Sequence, residues 1–132
     1  IETPVFKDFY LENINCYAAK KAVYINGLPE LNIQNVILKN SNFKTQKGIE
    51  INDANNITLE NIELNYAEGD FIKLNDSKNI KAVNVNGNKN ANTLNINGSD
   101  SKEIQFINMK KCELKINETV VDKKSIIIKW KL

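Results

Sequence analysis

The acidic residues that lie closest together in a short stretch of the sequence are Glu60, Glu63, Glu68 and Asp70. Two carboxylates standing roughly 6.5–9.5 Å apart can hydrolyse a glycosidic bond with inversion, one acting as acid and the other as base. The chain contains 16 acidic residues, however, so short spacings of this kind also arise by chance. Glu60 and Glu63 fall at outward positions of a predicted strand, where solvated charge is the ordinary state. We therefore assign no catalytic residue to this cluster.

Two residue types are missing from the chain. It has no His, and all 18 basic residues are Lys, so Arg is absent as well. A His general base, a His metal ligand and a bidentate Arg clamp are thereby excluded within this sequence. The net charge of +2 is too small to indicate a nucleic-acid partner. No apolar run approaches the ~20 residues of a membrane helix, so we expect no membrane partner.

Other residues could bind ligands, but each has a more ordinary role. The four tyrosines could stack on sugars, although Tyr on β-structure usually packs against neighbours; they are Tyr10, Tyr17, Tyr24 and Tyr66. Lys-rich faces could attract an acidic polysaccharide, but the interspersed acids favour a solvated surface. The oxygen-rich segment Asn52–Asn56 lacks the Gly-rich repeats of calcium-binding β-rolls, which favours a turn. We predict no cofactor site and no metal site.

A six-residue motif recurs along the chain, in the order apolar, any, Asn or Asp, apolar, any, apolar. Its clear copies begin at Phe6, Ile33 and Leu59, and looser copies begin at Ile80 and Ile104. This alignment places Asp8, Asn35 and Asn61 at one equivalent point between two strands. Stacked Asn side chains can hydrogen-bond to one another, and Asn tolerates the left-handed backbone of a sharp bend. The motif therefore predicts a structural Asn ladder.

A second motif of four residues lies between these copies, with apolar residues at its second and fourth positions. It begins at Ala22, Gly48, Phe71, Thr93 and Glu113. Alternation over such short stretches, separated by turns rich in Asn, Gly and Asp, predicts short β-strands. No stretch of ten or more residues has convincing helical periodicity.

A period of 20–27 residues with several strands per repeat predicts a β-solenoid, in which each repeat covers the apolar face of the next. We expect one domain over residues 1–132, built from about five coils that are stacked at ~4.8 Å. The predicted inward side chains are Phe6, Leu11, Ile33, Leu38, Leu59, Ile62 and Leu64.

The two ends of this solenoid differ. Residues 120–132 are expected to cover the C-terminal end, with Trp130 as a lid. The first predicted strand, residues 5–11, has no predicted cover, so an isolated chain could self-associate through this open edge. Cys16 and Cys112 fall in the first and fifth coils, roughly 19 Å apart, which is too far for a disulfide.

Residues 4–16, 18–30 and 32–38 carry a more specific pattern, in which the turn Gly27-Leu-Pro-Glu30 is followed by an Asn-Ile coil. Over residues 4–64 the chain resembles the C-terminal part of family 28 glycoside hydrolases, the polygalacturonases and related pectin-degrading enzymes. This resemblance implies an all-β, right-handed parallel β-helix and a secreted or periplasmic parent enzyme. That enzyme would hydrolyse α-1,4-linked galacturonic acid, usually with inversion. The family's motifs Asn-Thr-Asp, Asp-Asp, Gly-His-Gly and Arg-Ile-Lys are absent, so no catalytic residue is transferred to this chain.

The expected function is therefore that of the C-terminal β-helix portion of a polygalacturonase-like hydrolase acting on pectin, inactive alone. Its expected partners are the N-terminal catalytic coils of the parent chain and, for the parent enzyme, pectic polysaccharide. An alternative is a free-standing β-solenoid that serves as a binding or structural module of a cell-surface or secreted protein. A leucine-rich-repeat horseshoe is a further alternative, because residues 80–88 fit its pattern.

Overall fold

The computed structural model describes residues 7–117 and 119–132, which form ten β-strands and one short helical turn. The strands are β1 (Lys7–Glu12), β2 (Asn15–Asn26), β3 (Ile33–Asn52), β4 (Ala54–Tyr66), β5 (Ile72–Asn75), β6 (Lys78–Gly87), β7 (Thr93–Asn97), β8 (Lys102–Met109), β9 (Glu113–Ile116) and β10 (Ile126–Trp130). A 3₁₀ turn at Lys123–Ser125 precedes β10. A leucine-rich-repeat horseshoe with helical repeats does not fit this composition. Residues 5 and 6, part of the first predicted strand, lie outside the described residues.

Every pairing among these strands is parallel. Face A contains β1, residues 33–39, 54–60 and 78–83, β8 and β10. Face B contains residues 15–19, 41–47, 62–66 and 85–87. Face C contains residues 22–26 and 48–52, β5, β7 and β9. The chain thus winds through three parallel faces per turn, and the predicted parallel β-helix of about five coils is confirmed.

Face C follows the four-residue motif residue for residue. One inward column of aligned residues runs Val23, Ile49, Ile72, Leu94 and Leu114, and a second runs Ile25, Ile51, Leu74, Ile96 and Ile116. The middle members of both columns are fully buried. Each such side chain contributes roughly 1.5–3 kcal/mol when it leaves water, so these columns form much of the core that holds the coils together.

Left-handed residues bend the chain at fixed points. Five of them lie at the second or third residue of the face A strands and form the first column, Asp8, Asn35, Asn56, Asn79 and Glu103. Five asparagines form the second column, the first four between faces A and B and the last near the end of β8: Asn13, Asn40, Asn61, Asn84 and Asn108. Asn is the residue that most readily adopts this backbone apart from Gly. Eight of the chain's 23 asparagines take this backbone in the two columns, so the bends account for about a third of them.

The predicted ladder exists, but its assignment of Asn61 was wrong. Asn35 donates its side-chain amide to Asp8 at 2.9 Å, as expected. Asn61 instead belongs to the second column, where it donates to Asn40 at 3.0 Å. The alignment slipped because the motif of a left-handed residue followed by alternating strand occurs twice in each coil, five residues apart. The predicted fourth copy, which begins at Ile80, is displaced as well. Ile80 pairs with Ile57, whereas the predicted alignment placed it beside Leu59.

The predicted core is confirmed in the middle of the rod and wrong at its N-terminal end. Leu38, Leu59, Ile62 and Leu64 are buried. Ile33 is only half-buried, and Leu11 is 44% exposed. Leu11 belongs to the first coil, and no described strand pairs with the outer edge of that coil. Phe6 lies outside the described residues.

The C-terminal end is covered on one face. β10 pairs with β8 and thereby begins a sixth layer on face A. Trp130 is half-buried against the core, as expected of a lid, and Val121 is buried in the same core. Leu114 of face C remains 42% exposed, so residues 119–132 do not cover the whole end.

Candidate functional site

The four acidic residues near the middle of the chain do not converge. Glu60 points outward from face A, where its carboxylate lies 3.5 Å from the ammonium of Lys39. Glu63 lies on face B, beyond the bend at Asn61. Glu68 and Asp70 follow in the turn between β4 and β5. These carboxylates thus occupy two faces and a turn, whereas inverting glycoside hydrolysis uses two carboxylates on opposite sides of one bond.

The segment Asn52–Asn56 is used for stacking. Asn52 accepts a 2.6 Å hydrogen bond from Asn75 of the next coil and donates to Glu50 of its own. Asn56 donates to Asn35 at 2.7 Å. Within residues 7–117 and 119–132, no three Cys, Asp or Glu side chains are grouped as metal ligands would be.

Sequence reasoning did not identify an acidic corner between faces C and A. Asp53 and Asp76 occupy equivalent left-handed positions directly after their face C strands, and Gly98 takes the same place in the next coil. Burial raises the pKa of Asp53, and repulsion from Asp76, Asp100 and Glu30 raises it further. The signal was present in the sequence, because both aspartates follow the four-residue motif at the same distance.

The prediction that the tyrosines pack against neighbours was wrong for three of them. Tyr10, Tyr17 and Tyr24 are 57%, 66% and 54% exposed, and each projects from a different face of the first coil. Tyr10 donates its hydroxyl to Glu12 at 2.6 Å, and the ammonium of Lys21 lies 4.0 Å from the centre of the Tyr24 ring.

Tyr66 differs from the other three because it is fully buried. Its hydroxyl donates to the side-chain oxygen of Asn92 at 2.7 Å, and its ring stacks on Phe71 with the centroids 5.8 Å apart. Burial raises the pKa of Tyr66 to about 12. Asn92 also accepts from the backbone of Lys89 and donates back to its carbonyl, so it fixes the loop that follows β6. This cluster is structural.

Two outward hollows lie on the sides of the rod. The one on face C has a volume of about 160 Å³ and is lined by Lys21, Lys47, Gly48, Ile49, Glu50, Gly69, Asp70 and Lys73. Lys21 pairs with Glu50 at 3.3 Å and Asp70 accepts from Asn95, whereas Lys47 and Lys73 have no ion pair with the described residues. The one on face B has a volume of about 330 Å³ and is lined by Tyr17, Asn42, Phe43, Lys44, Glu63, Leu64, Asn65, Gly87 and Asn88.

An apolar cavity lies at the N-terminal end of the core. Its volume is about 350 Å³, and its walls include Leu11, Ile14, Cys16, Ala22 and Val23 of the first coil. Deeper residues of the second and third coils complete the lining. Cys16 is half-buried here, whereas Cys112 lies in the fifth coil, and both are free thiols. The cavity is thus the N-terminal end of the solenoid's interior, surrounded by the first coil.

Comparison with protein-family models, curated proteins and solved structures finds no match for this chain. In the part of the chain that the structure describes, no helix has the length and apolar character needed to cross a membrane.

Proposed function

We propose that this chain is the C-terminal β-helix portion of a polygalacturonase-like glycoside hydrolase that acts on pectin. Its role is to extend and stabilise the rod of the parent enzyme, while the catalytic carboxylates belong to preceding coils. The parent enzyme would be secreted or periplasmic, where it meets pectic polysaccharide. The chain alone is inactive in this proposal, because its own acids are spread over different faces.

The observation that carries this proposal is the N-terminal edge of the first coil, with which no described strand pairs. Successive coils cover one another through parallel pairings, on all three faces in the first four coils and on faces A and C in the fifth. The first coil exposes Leu11 and Phe9, each at 44%, beside an apolar cavity of about 350 Å³. A preceding β-helix coil would pair its strands with those of the first coil and cover the apolar cavity. That geometry supports a location downstream of other coils.

The proposal is tested by incubating polygalacturonate separately with the pure chain and with the product of its parent gene. We expect no reducing sugar from the chain alone and clear release by the parent. Deleting residues 7–132 from the parent should lower its yield of active protein, because the coil before them would lose its cover. Turnover by the chain alone, abolished by Glu63→Gln or Asp70→Asn, would overturn the proposal.

A free-standing β-solenoid that binds a ligand is the second candidate function. The exposure of Tyr10, Tyr17 and Tyr24 favours it, because aromatic rings at this level of exposure contribute little to packing. A gene that encodes no further coils before this chain would favour this candidate over the first.

A further inference from the structure

The hollow on face B contains a straight row of side chains. Tyr17 pairs in register with Lys44, and Lys44 pairs with Asn65 in the coil beyond. Neighbouring strands lie about 4.8 Å apart, so these three side chains follow one another along the rod. We propose that this hollow binds an acidic oligosaccharide, with one sugar ring stacked on Tyr17 and a sugar carboxylate paired with Lys44.

Among the exposed tyrosines of the first coil, only Tyr17 has neither a cation over its ring nor a hydrogen bond from its hydroxyl to a described residue. It is 66% exposed. Tyr10 is held by Glu12, and Tyr24 lies under Lys21, whereas Tyr17 makes no such contact with any described residue. A free aromatic face on a flat sheet is suited to the apolar face of a sugar ring, while its hydroxyl can bond to the sugar's polar groups.

The backbone beside Tyr17 is strained. Ala18 has a left-handed φ of 67°, and the register between β2 and β3 shifts between Tyr17 and Ala19. This backbone is unfavourable for a residue with a Cβ atom and no polar side chain, and it persists where the surrounding structure imposes it. Bulges of this kind reorient neighbouring side chains. The irregularity therefore occurs where the proposed stacking residue leaves the sheet.

Lys44 supplies a cation that the described part of the chain does not neutralise. Lys39 and Lys21 each pair with a glutamate, but Lys44 has no ion pair or hydrogen bond with the described residues. The acid on face B, Glu63, already accepts a 2.9 Å hydrogen bond from Asn86. A ligand carboxylate would give Lys44 a charge-assisted hydrogen bond. The Asn65 amide, next along the row, has no hydrogen bond with the described residues and can bond to sugar hydroxyls.

The far wall of the hollow is held in place. β6 ends at Gly87, and Asn88 then turns across face B. The side-chain oxygen of Asn88 accepts from the backbone of Tyr66 at 3.0 Å, and Asn92 anchors the other end of the same loop to the Tyr66 hydroxyl. This wall therefore needs little reordering when a ligand binds, which favours affinity.

The acidic character of the sugar rests on the proposed function as well as on Lys44, and binding is measured separately from hydrolysis. The full 132-residue chain is titrated with tetragalacturonate and with neutral galactotetraose, while the backbone amide signals are followed by NMR. We expect shifts confined to face B around residues 15–19, 42–44 and 63–65. Binding of the neutral sugar should be at least roughly tenfold weaker, because it lacks the carboxylate.

Tyr17→Ala and Lys44→Gln should each weaken the binding of tetragalacturonate by roughly tenfold. Tyr10→Ala and Lys81→Gln are the matched controls, since both positions are exposed on face A, and they should leave binding unchanged. Absence of binding, equal affinity for the neutral sugar, or equal binding by all four variants would each overturn the inference. An inactive parent enzyme combined with binding at face B would reject the proposed function and leave this site standing.

Discussion

Asn56 donates its side-chain amide to the side-chain oxygen of Asn35 at 2.7 Å, and both residues have left-handed backbone. The two residues lie in successive coils, 21 positions apart. One residue type thus serves two purposes, because the backbone that bends the coil also directs the side chain at its counterpart in the neighbouring coil. The ladder is exposed to solvent, so each of its bonds contributes modestly to stability.

Replacing Asn35 with Leu should destabilise the protein by roughly 2–5 kcal/mol, measured by urea denaturation. The change removes one bond to Asp8 and one from Asn56, each contributing roughly 0.5–1.5 kcal/mol. It also forces a Leu into the left-handed region at φ 56°, which costs roughly 1–2 kcal/mol. Asn35→Gly is the control, because Gly tolerates the backbone and loses only the side-chain bonds. Equal unfolding midpoints for the Leu variant and the original chain would contradict the ladder.

Gly48→Ala should lower the free energy of unfolding by about 3 kcal/mol, which is more than we expect for Gly69→Ala. A Cβ at Gly48 would overlap the carbonyl oxygens of Phe71 and Asp70 in the next coil. The Phe71 carbonyl cannot yield easily, since it accepts the inter-coil bond from Ile49 at 2.9 Å.

Gly69→Ala is the matched control for that substitution. Gly69 has a φ of +81°, but a Cβ there would meet no atom within 4 Å. Its cost is therefore limited to the backbone, roughly 1–2 kcal/mol. If the two variants unfold at the same temperature, the close approach of coils at Gly48 is less tight than described.

Asp53→Asn should raise the thermal unfolding midpoint at pH 7. Burial raises the pKa of Asp53, with repulsion from Asp76, Asp100 and Glu30 adding to it. Between the unfolded pKa, about 3.9, and the higher folded pKa, the native state binds more protons than the unfolded chain. Stability therefore falls as the pH rises through that window. At pH 3 the carboxyl is neutral in both states, so the gain from Asn should largely vanish. A gain that is unchanged at pH 3 would assign the effect to turn propensity.

Tyr66→Phe should reduce the loss of folding stability that occurs as the pH rises from about 10 to about 12. The pKa of Tyr66 is about 12 in the native state and about 10 in an unfolded chain. Between these values the native state holds a proton that the unfolded state has lost, so stability falls as the pH rises from 10 to 12. At pH 8 the variant should be less stable by about 1 kcal/mol, because the bond to Asn92 is lost.

Urea titrations at several pH values measure both effects, and Tyr17→Phe controls for loss of an exposed hydroxyl at pH 8. Cys112, whose pKa burial raises to about 11, should retain its own contribution in every variant. Parallel stability curves for Tyr66→Phe and the original chain above pH 10 would refute the role given to the Tyr66 proton.

The isolated chain should self-associate through the edge of the first coil with which no described strand pairs. Light scattering should give a mass near twice 15.0 kDa, because closed two-fold pairs are the commonest assemblies. Leu11→Lys places a charge at the rim of the apolar cavity and should shift the protein toward monomer. Ile127→Lys, at the other end of the rod and similarly exposed, should not. A monomer at high concentration with slow hydrogen exchange in β1 would show that this end is covered.

The fold could be predicted because alternation on face C is nearly unbroken. Every copy of the four-residue motif has apolar side chains at the two inward positions, and the pairings follow it exactly in register. Faces A and B were harder to predict, because each coil contains two similar motifs and each motif has its own left-handed residue. A sequence comparison cannot tell Asn35 from Asn40 without knowing which neighbour each one meets in space.

The candidate site was predicted less well than the fold. Tyr17, Lys44 and Asn65 are separated by 21 to 27 positions in sequence, and only the register of three coils brings them into one row. The strain at Ala18 has no signature in the sequence, since Ala is an ordinary strand and helix residue. Exposure of the tyrosines likewise depends on which side of each strand faces outward in the first coil.

The corners of the rod differ in how much extra sequence they accept. Successive ladder positions are 27 residues apart between Asp8 and Asn35 but 21 between Asn35 and Asn56, yet the faces stay in register. The bend between faces A and B contains a single left-handed residue in each of the first four coils, whereas residues 67–71, 88–92 and 27–32 form turns of different length at the other corners. Evolution can therefore enlarge the loops at two corners and alter the rod's outline, while insertions at the third would displace the second column and break bonds such as that from Asn61 to Asn40.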